Sequence, residues 1–126
     1  NVAPPNVIAV TLLTSIAPEQ LSQELKVETE VKPYAEGMAQ LAKASGLAGA
    51  VCSPLEATSL RSLCGPEFVL VCPGVRPTWA AKGDQKRVMT PAEAIAAGAT
   101  YLVIGRPITQ ADNPAIAWDR ILEELA

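Results

Sequence analysis

The chain has 126 residues, ten basic against thirteen acidic, no histidine and an apolar fraction of 49%. That length and balance describe one globular domain with a real core rather than a disordered segment, and net charge −3 argues against a broad nucleic-acid surface. No apolar run reaches the length of a spanning helix, and the amino terminus Asn1-Val-Ala-Pro-Pro-Asn6 has neither the basic start nor the apolar block of a signal peptide. The expectation is a cytoplasmic protein with no membrane and no nucleic-acid partner.

Four short, apolar, β-rich runs punctuate the chain: Val7 to Leu13, Ala48 to Cys52, Phe68 to Cys72 and Tyr101 to Ile104. A helix signal follows each of the first three. Pro18 and Glu19 open one helix; Ser53-Pro-Leu-Glu56 and Thr90-Pro-Ala-Glu93 have the form of capping boxes with proline at the first helical position. Within 31–44, Val31, Tyr34, Ala35, Met38, Leu41 and Ala42 recur at spacings of three and four and predict a core-facing stripe. Trp118, Ile121, Leu122 and Leu125 predict the same for the last helix, with Trp118 in the core. Gly46, Gly65 and Gly98 stand where a left-handed terminating residue is expected.

Cys52, Cys64 and Cys72 are odd in number and lack C-x-x-C spacing, which marks them as small buried hydrophobes. The absence of histidine excludes His-dependent triads and His-ligated metals, and no Cys/Asp/Glu cluster has ligand spacing. No metal site is expected.

Strands buried on both faces and alternating with helices imply a parallel sheet joined by right-handed crossovers. Four βα units fit either a small doubly wound sheet or half of an eight-unit barrel, since a complete barrel takes about 250 residues.

The chemistry concentrates between residues 69 and 109. Val69-Leu-Val-Cys-Pro-Gly74-Val-Arg76 and Tyr101-Leu-Val-Ile-Gly105-Arg106 each end in glycine and arginine, and between them lies Gly83-Asp-Gln85-Lys-Arg87. From Arg76 to Arg106 the chain carries +3 and the remainder −6. A buried strand whose carboxyl end presents backbone N–H groups and a guanidinium is where α/β proteins hold phosphates. A glycine at position 105 lets backbone approach an anion closely, and the polar connection from Pro77 to Lys86 has the length of a closing loop.

With Ile8-Ala-Val-Thr-Leu-Leu-Thr14-Ser15, Ala50-Val-Cys-Ser53, Pro73-Gly-Val-Arg76-Pro77, Gly83-Asp-Gln85-Lys-Arg-Val-Met-Thr-Pro91 and Val103-Ile-Gly105-Arg106-Pro107-Ile-Thr109 in that order, essentially the whole chain resembles the orotidine 5′-phosphate decarboxylases. The resemblance implies a single partial domain over 1–126, the carboxyl-terminal half of a (β/α)8 TIM barrel carrying strands five to eight. It implies conversion of orotidine 5′-monophosphate to UMP and CO2 without metal or organic cofactor, by a homodimer. Carried over by motif, Thr14 meets the base and ribose end of the ligand, Ser53 the pyrimidine, and Arg76 and Gln85 the phosphate side. Gly105 and Arg106 hold the phosphate itself, and Gln85 also bridges phosphate and pyrimidine.

The resemblance places a Lys-Asp-Lys-Asp tetrad in such enzymes, with a D-x-K-x-x-D motif in the amino-terminal half, and no such motif occurs here. No catalytic residue is therefore assigned to this chain, which is expected to be inactive alone and to need a missing amino-terminal half-barrel. Asn1 stands just before a strand without a start methionine, and the expected source is a longer protein. The alternative is a noncatalytic half-barrel that dimerises over its exposed sheet edges and keeps only phosphate-ligand binding.

Overall fold

The computed structural model describes residues 2–80 and 88–126. Four parallel strands, β1 (Ile8–Val10), β2 (Gly49–Val51), β3 (Val69–Cys72) and β4 (Tyr101–Leu102), form one sheet in the order β1-β2-β3-β4. Register follows the chain: Ala9 lies opposite Ala50, Ala50 opposite Leu70, and Cys72 opposite Leu102. The strands are shorter than the apolar runs suggest, but the backbone pairing continues past them. Ala48 N–H donates to the Val7 carbonyl at 2.9 Å, Cys52 N–H to Val71 at 3.0 Å, and Val103 N–H to Cys72 at 3.0 Å.

Among the described residues six helices complete the order: α1 (Pro18–Gln23), α2 (Val31–Ala44), α3 (Ala57–Cys64), α4 (Pro91–Ala96), α5 (Arg106–Thr109) and α6 (Pro114–Leu125), with a 3-10 turn over Pro54–Glu56. The two capping boxes form as the sequence predicts. Thr90 Oγ1 accepts from Glu93 N–H at 3.3 Å while the Glu93 carboxylate accepts from Thr90 N–H at 2.9 Å. Ser53 and Glu56 exchange the equivalent roles at the 3-10 turn. Gly46, Gly65 and Gly98 take the left-handed φ values of 81°, 89° and 113° that end a helix and turn the chain toward the next strand.

The helices cover one face of the sheet: α2 packs on β1 and β2, α3 on β3, and α4 on β4 and α6. Ala50, Cys52, Leu70 and Cys72 point into that layer, where they meet Ala39, Leu60 and Ala94. Small residues on α2 allow a close approach. Ala35, Ala39 and Ala42 form its buried stripe, and Leu41, expected in the core, is 60% exposed. Full burial of Leu60 and Leu70 stabilises the layer by roughly 1.5–3 kcal/mol each.

The opposite face of the sheet is open, which corrects the expectation of strands buried on both sides. Alternation and register place Ile8, Val10, Val51, Val69, Val71, Tyr101 and Val103 there, with Val10 53% and Tyr101 62% exposed. The cause is geometric, because the inner face of a curved parallel sheet is covered only when the barrel closes. Trp118 is corrected likewise. It is half exposed together with Leu122 and Leu125, while Ala117 and Ile121 are the α6 residues that enter the core. α6 packs on α4 and α5, and its Trp118 side stays uncovered among the described residues.

Candidate functional site

The candidates in the described residues all follow the carboxyl ends of strands: Thr14 after β1, Ser53 after β2, Arg76 after β3, and Gly105 and Arg106 after β4. This common placement follows from parallel strands, which deliver every strand-to-helix connection to the same end of the sheet.

Past β3, Pro73 and Gly74 turn the chain, Gly74 with φ 76°, and Val75 is buried. Val75 bridges Met89, and Arg76 N–H donates to the Met89 carbonyl at 2.9 Å, so the chain leaving β3 and the chain returning toward α4 are clipped together. The clip leaves the Arg76 side chain 9% exposed. Past β4, Gly105 becomes the residue before α5, and a Cβ there would meet no heavy atom within 4 Å. Arg106 opens this one-turn helix, an element the sequence analysis did not anticipate, and its backbone carbonyl accepts from Gln110 N–H at 3.0 Å.

Arg76 and Arg106 line one open cavity of about 490 Å³ together with Trp79, Gln110, Asn113 and Arg120. Its volume lies in the range of small-molecule sites. Asn113 shapes the wall by capping α6, its Oδ1 accepting from Ala115 and Ile116 N–H at 3.1 and 3.2 Å. The Arg120 guanidinium lies 4.3 Å from the centroid of the Trp79 ring. Arginine outnumbers acid on this lining three to one, Asp112 being the acidic residue, in a chain whose net charge is −3. Among the described residues the lining is thus positive, a balance that favours anions.

Neither Thr14 nor Ser53 lines this cavity. Thr14 is half-buried in the turn after β1. Ser53 is buried, and its Oγ accepts from Leu55 N–H at 3.3 Å while its N–H donates to Glu56 Oε2 at 3.1 Å. Gln85 lies outside the described residues. Trp79 and Arg120 were missed by the sequence analysis, because a residue on the last helix announces its aromatic partner through no spacing rule.

None of the three cysteines lines this cavity. All three are free and buried, with Cys52 and Cys72 Sγ 3.7 Å apart across β2 and β3. The hydrogen bond with Cys72 and burial push the Cys52 thiol up from its ordinary value, the same hydrogen bond pulls Cys72 down, and burial pushes Cys64 up. Among the described residues no group of three or more Cys, Asp or Glu could hold a metal ion, and no helix is long and apolar enough to cross a membrane.

Comparison with known proteins agrees with this architecture. The Orotidine 5′-phosphate decarboxylase / HUMPS family model matches residues 2–121. The chain is 61% identical over 125 residues to an orotidine 5′-phosphate decarboxylase of Nostoc sp., covering 99% of this chain and 52% of that protein. It is 58% identical over 123 residues to that of Gloeothece citriformis, covering 98% and 53%. The crystal structure of orotidine 5′-phosphate decarboxylase from Lactobacillus acidophilus superposes with a TM-score of 0.79 at 37% identity, over 95% of this chain and 49% of that one. The chain thus spans about half the length of the curated relatives it matches, and its four-stranded sheet is half of a (β/α)8 barrel. With two strand-tip arginines sharing one cavity and a family match over nearly its whole length, the chain belongs to the orotidine 5′-phosphate decarboxylase / HUMPS family.

Proposed function

We propose that the chain is the carboxyl-terminal half, strands five to eight, of an orotidine 5′-phosphate decarboxylase, and that it supplies the phosphate- and nucleotide-binding side of the site. The convergence of Arg76 and Arg106 on one cavity at the carboxyl ends of β3 and β4 is the observation that carries this proposal. In it, Arg106 and the open backbone at Gly105 take the phosphate of orotidine 5′-monophosphate, and Arg76 approaches from the neighbouring strand tip. Two guanidinium groups match a dianion in charge and offer forked N–H donors. Gln85 bridges phosphate and pyrimidine, Thr14 meets the base and ribose end, and Ser53 the pyrimidine. Ser53 Oγ accepts a backbone N–H, which leaves its hydroxyl proton uncommitted by that bond.

The division of labour follows from which residues the chain possesses. Phosphate binding energy holds the ligand by its unreactive end and helps to desolvate and distort the carboxylate at the other, which lowers the barrier to CO2 loss. The carbanion left at the pyrimidine then takes a proton from a lysine of the other half, since this chain has no D-x-K-x-x-D motif. UMP is the product. The family resemblance supports a cytoplasmic homodimer of completed barrels and a reaction without metal or organic cofactor.

The test pairs the chain with the amino-terminal half of the Nostoc decarboxylase. The expected result is CO2 release from orotidine 5′-monophosphate by the mixture and none by the chain alone, with Arg106→Ala silencing the mixture. Turnover by the 126-residue chain alone would overturn the assignment of the chemistry to the other half. Failure of the mixture to bind UMP in calorimetry would overturn the phosphate-ester assignment itself.

A further inference from the structure

We infer that Arg120, held by the ring of Trp79, is a third residue that holds the phosphoryl group of the nucleotide, and that Trp79 is its positioning residue. The inference rests on the phosphate-ester assignment above and adds a part that the family motifs do not name. Arg120 lies on α6, fourteen residues past Arg106, and Trp79 lies in the turn that follows Arg76, where Ala80 N–H donates to the Pro77 carbonyl at 3.0 Å. Both side chains line the cavity that Arg76 and Arg106 line.

Arg120 has acidic neighbours on its own helix, Glu123 and Glu124, at the spacings that normally form surface ion pairs. It forms no ion pair with a described residue. The Glu124 carboxylate instead accepts from Ala92 N–H at 3.2 Å, and the Arg120 guanidinium lies over Trp79 at 4.3 Å. A guanidinium stacked on an aromatic face keeps its N–H donors in the plane, pointing away from the ring, so the stack fixes the charge without consuming its hydrogen-bonding capacity. An exposed arginine would otherwise lose rotamer freedom when it gripped a ligand. Fixing it beforehand reduces that cost. A third positive charge on the lining also raises the local concentration of an anionic ligand around a chain that is negative as a whole.

UMP titrations of the chain decide the matter. In a Trp118→Phe background Trp79 is the sole tryptophan, and its emission is expected to change as UMP saturates the cavity. Arg120→Met is expected to abolish that change, weaken UMP roughly 5- to 10-fold at low salt, flatten the salt dependence, and leave uridine binding unaltered. Arg120→Lys, which keeps charge and loses the planar stack, should recover part of the loss. Trp79→Ala should weaken UMP about as much as Arg120→Met, with the double variant no weaker than Arg120→Met alone, the signature of two residues acting as one unit. Parent-like UMP affinity in Arg120→Met and Trp79→Ala would overturn the inference, as would independent, additive losses or an equal loss for uridine. Arg106→Ala separates the two levels: if it binds UMP like the parent, the phosphate-ester assignment falls, and if it alone weakens binding, only the role of Arg120 does.

Discussion

At the amino-terminal end of the sheet a single arginine is committed to backbone. Arg61 on α3 donates from Nη1 to the carbonyls of Gly65, Pro66 and Phe68 at 2.9, 3.0 and 2.6 Å. From Nη2 it reaches the Gly98 carbonyl at 2.8 Å and Thr100 Oγ1 at 3.0 Å. Thr100 Oγ1 in turn accepts from Leu70 N–H at 3.0 Å, so one side chain ties the entries of β3 and β4 together. At the carboxyl-terminal end of the same two strands, Arg76 and Arg106 line a cavity with room for a small molecule. The same residue type ties strands together at one end of the sheet and lines the candidate cavity at the other.

Separating these roles experimentally starts with Arg61. Arg61→Ala is expected to lower unfolding free energy by roughly 2–4 kcal/mol in denaturant titrations, because it strands several carbonyls that charged N–H donors had satisfied. UMP affinity of the folded fraction should stay unchanged. Arg106→Ala should do the reverse, costing about 10- to 100-fold in UMP affinity by calorimetry with little change in denaturation midpoint. A loss of stability in Arg106→Ala equal to that in Arg61→Ala would erase the contrast.

Smaller effects sharpen it. Gly49 sits where β2 passes β3, and a Cβ there would run into the Val69 carbonyl oxygen, so Gly49→Ala is expected to cost about 1–3 kcal/mol of stability and to leave ligand affinity alone. Thr90→Ala removes the oxygen that caps α4 and should cost about 1 kcal/mol in the same measurement. Alkaline pH is the mildest probe. The Cys64 thiol, held up by burial, keeps its proton when folded at pH values where the unfolded chain, with thiol pKa near 9, releases it. Its contribution is therefore complete below pH 9 and lost above it, so thermal midpoints should decline above that pH. Cys64→Ala should lessen the decline.

Legibility in the sequence followed the range of the interactions involved. Caps at Ser53 and Thr90 and the helix-ending glycines involve neighbours a few residues apart, and the structure repeats them. The four apolar runs also located the strands, because both faces of these parallel strands carry apolar residues, one under the helices and one on the open side. What depends on distant partners was not legible. Trp118, Leu122 and Leu125 have the spacing of a core stripe, but spacing does not say whether a neighbouring element exists to cover it. Arg61 carried no motif, since its partners are backbone carbonyls 4 to 37 residues away and the Thr100 hydroxyl 39 residues away. At the site, Arg76 and Arg106 could be named because each follows a strand; the Trp79–Arg120 pair could not, because its members meet only once α6 folds back across the cavity.

The clip between Arg76 and Met89 separates two kinds of evolutionary freedom. With entry and exit fastened to each other, β3 and the start of α4 are held together without help from the residues between them, and closure costs rise only slowly with the length of chain joined. Chimeras that exchange residues 78–87 among relatives are therefore expected to keep the parent's folding stability while altering ligand retention, so that grip and scaffold diversify independently.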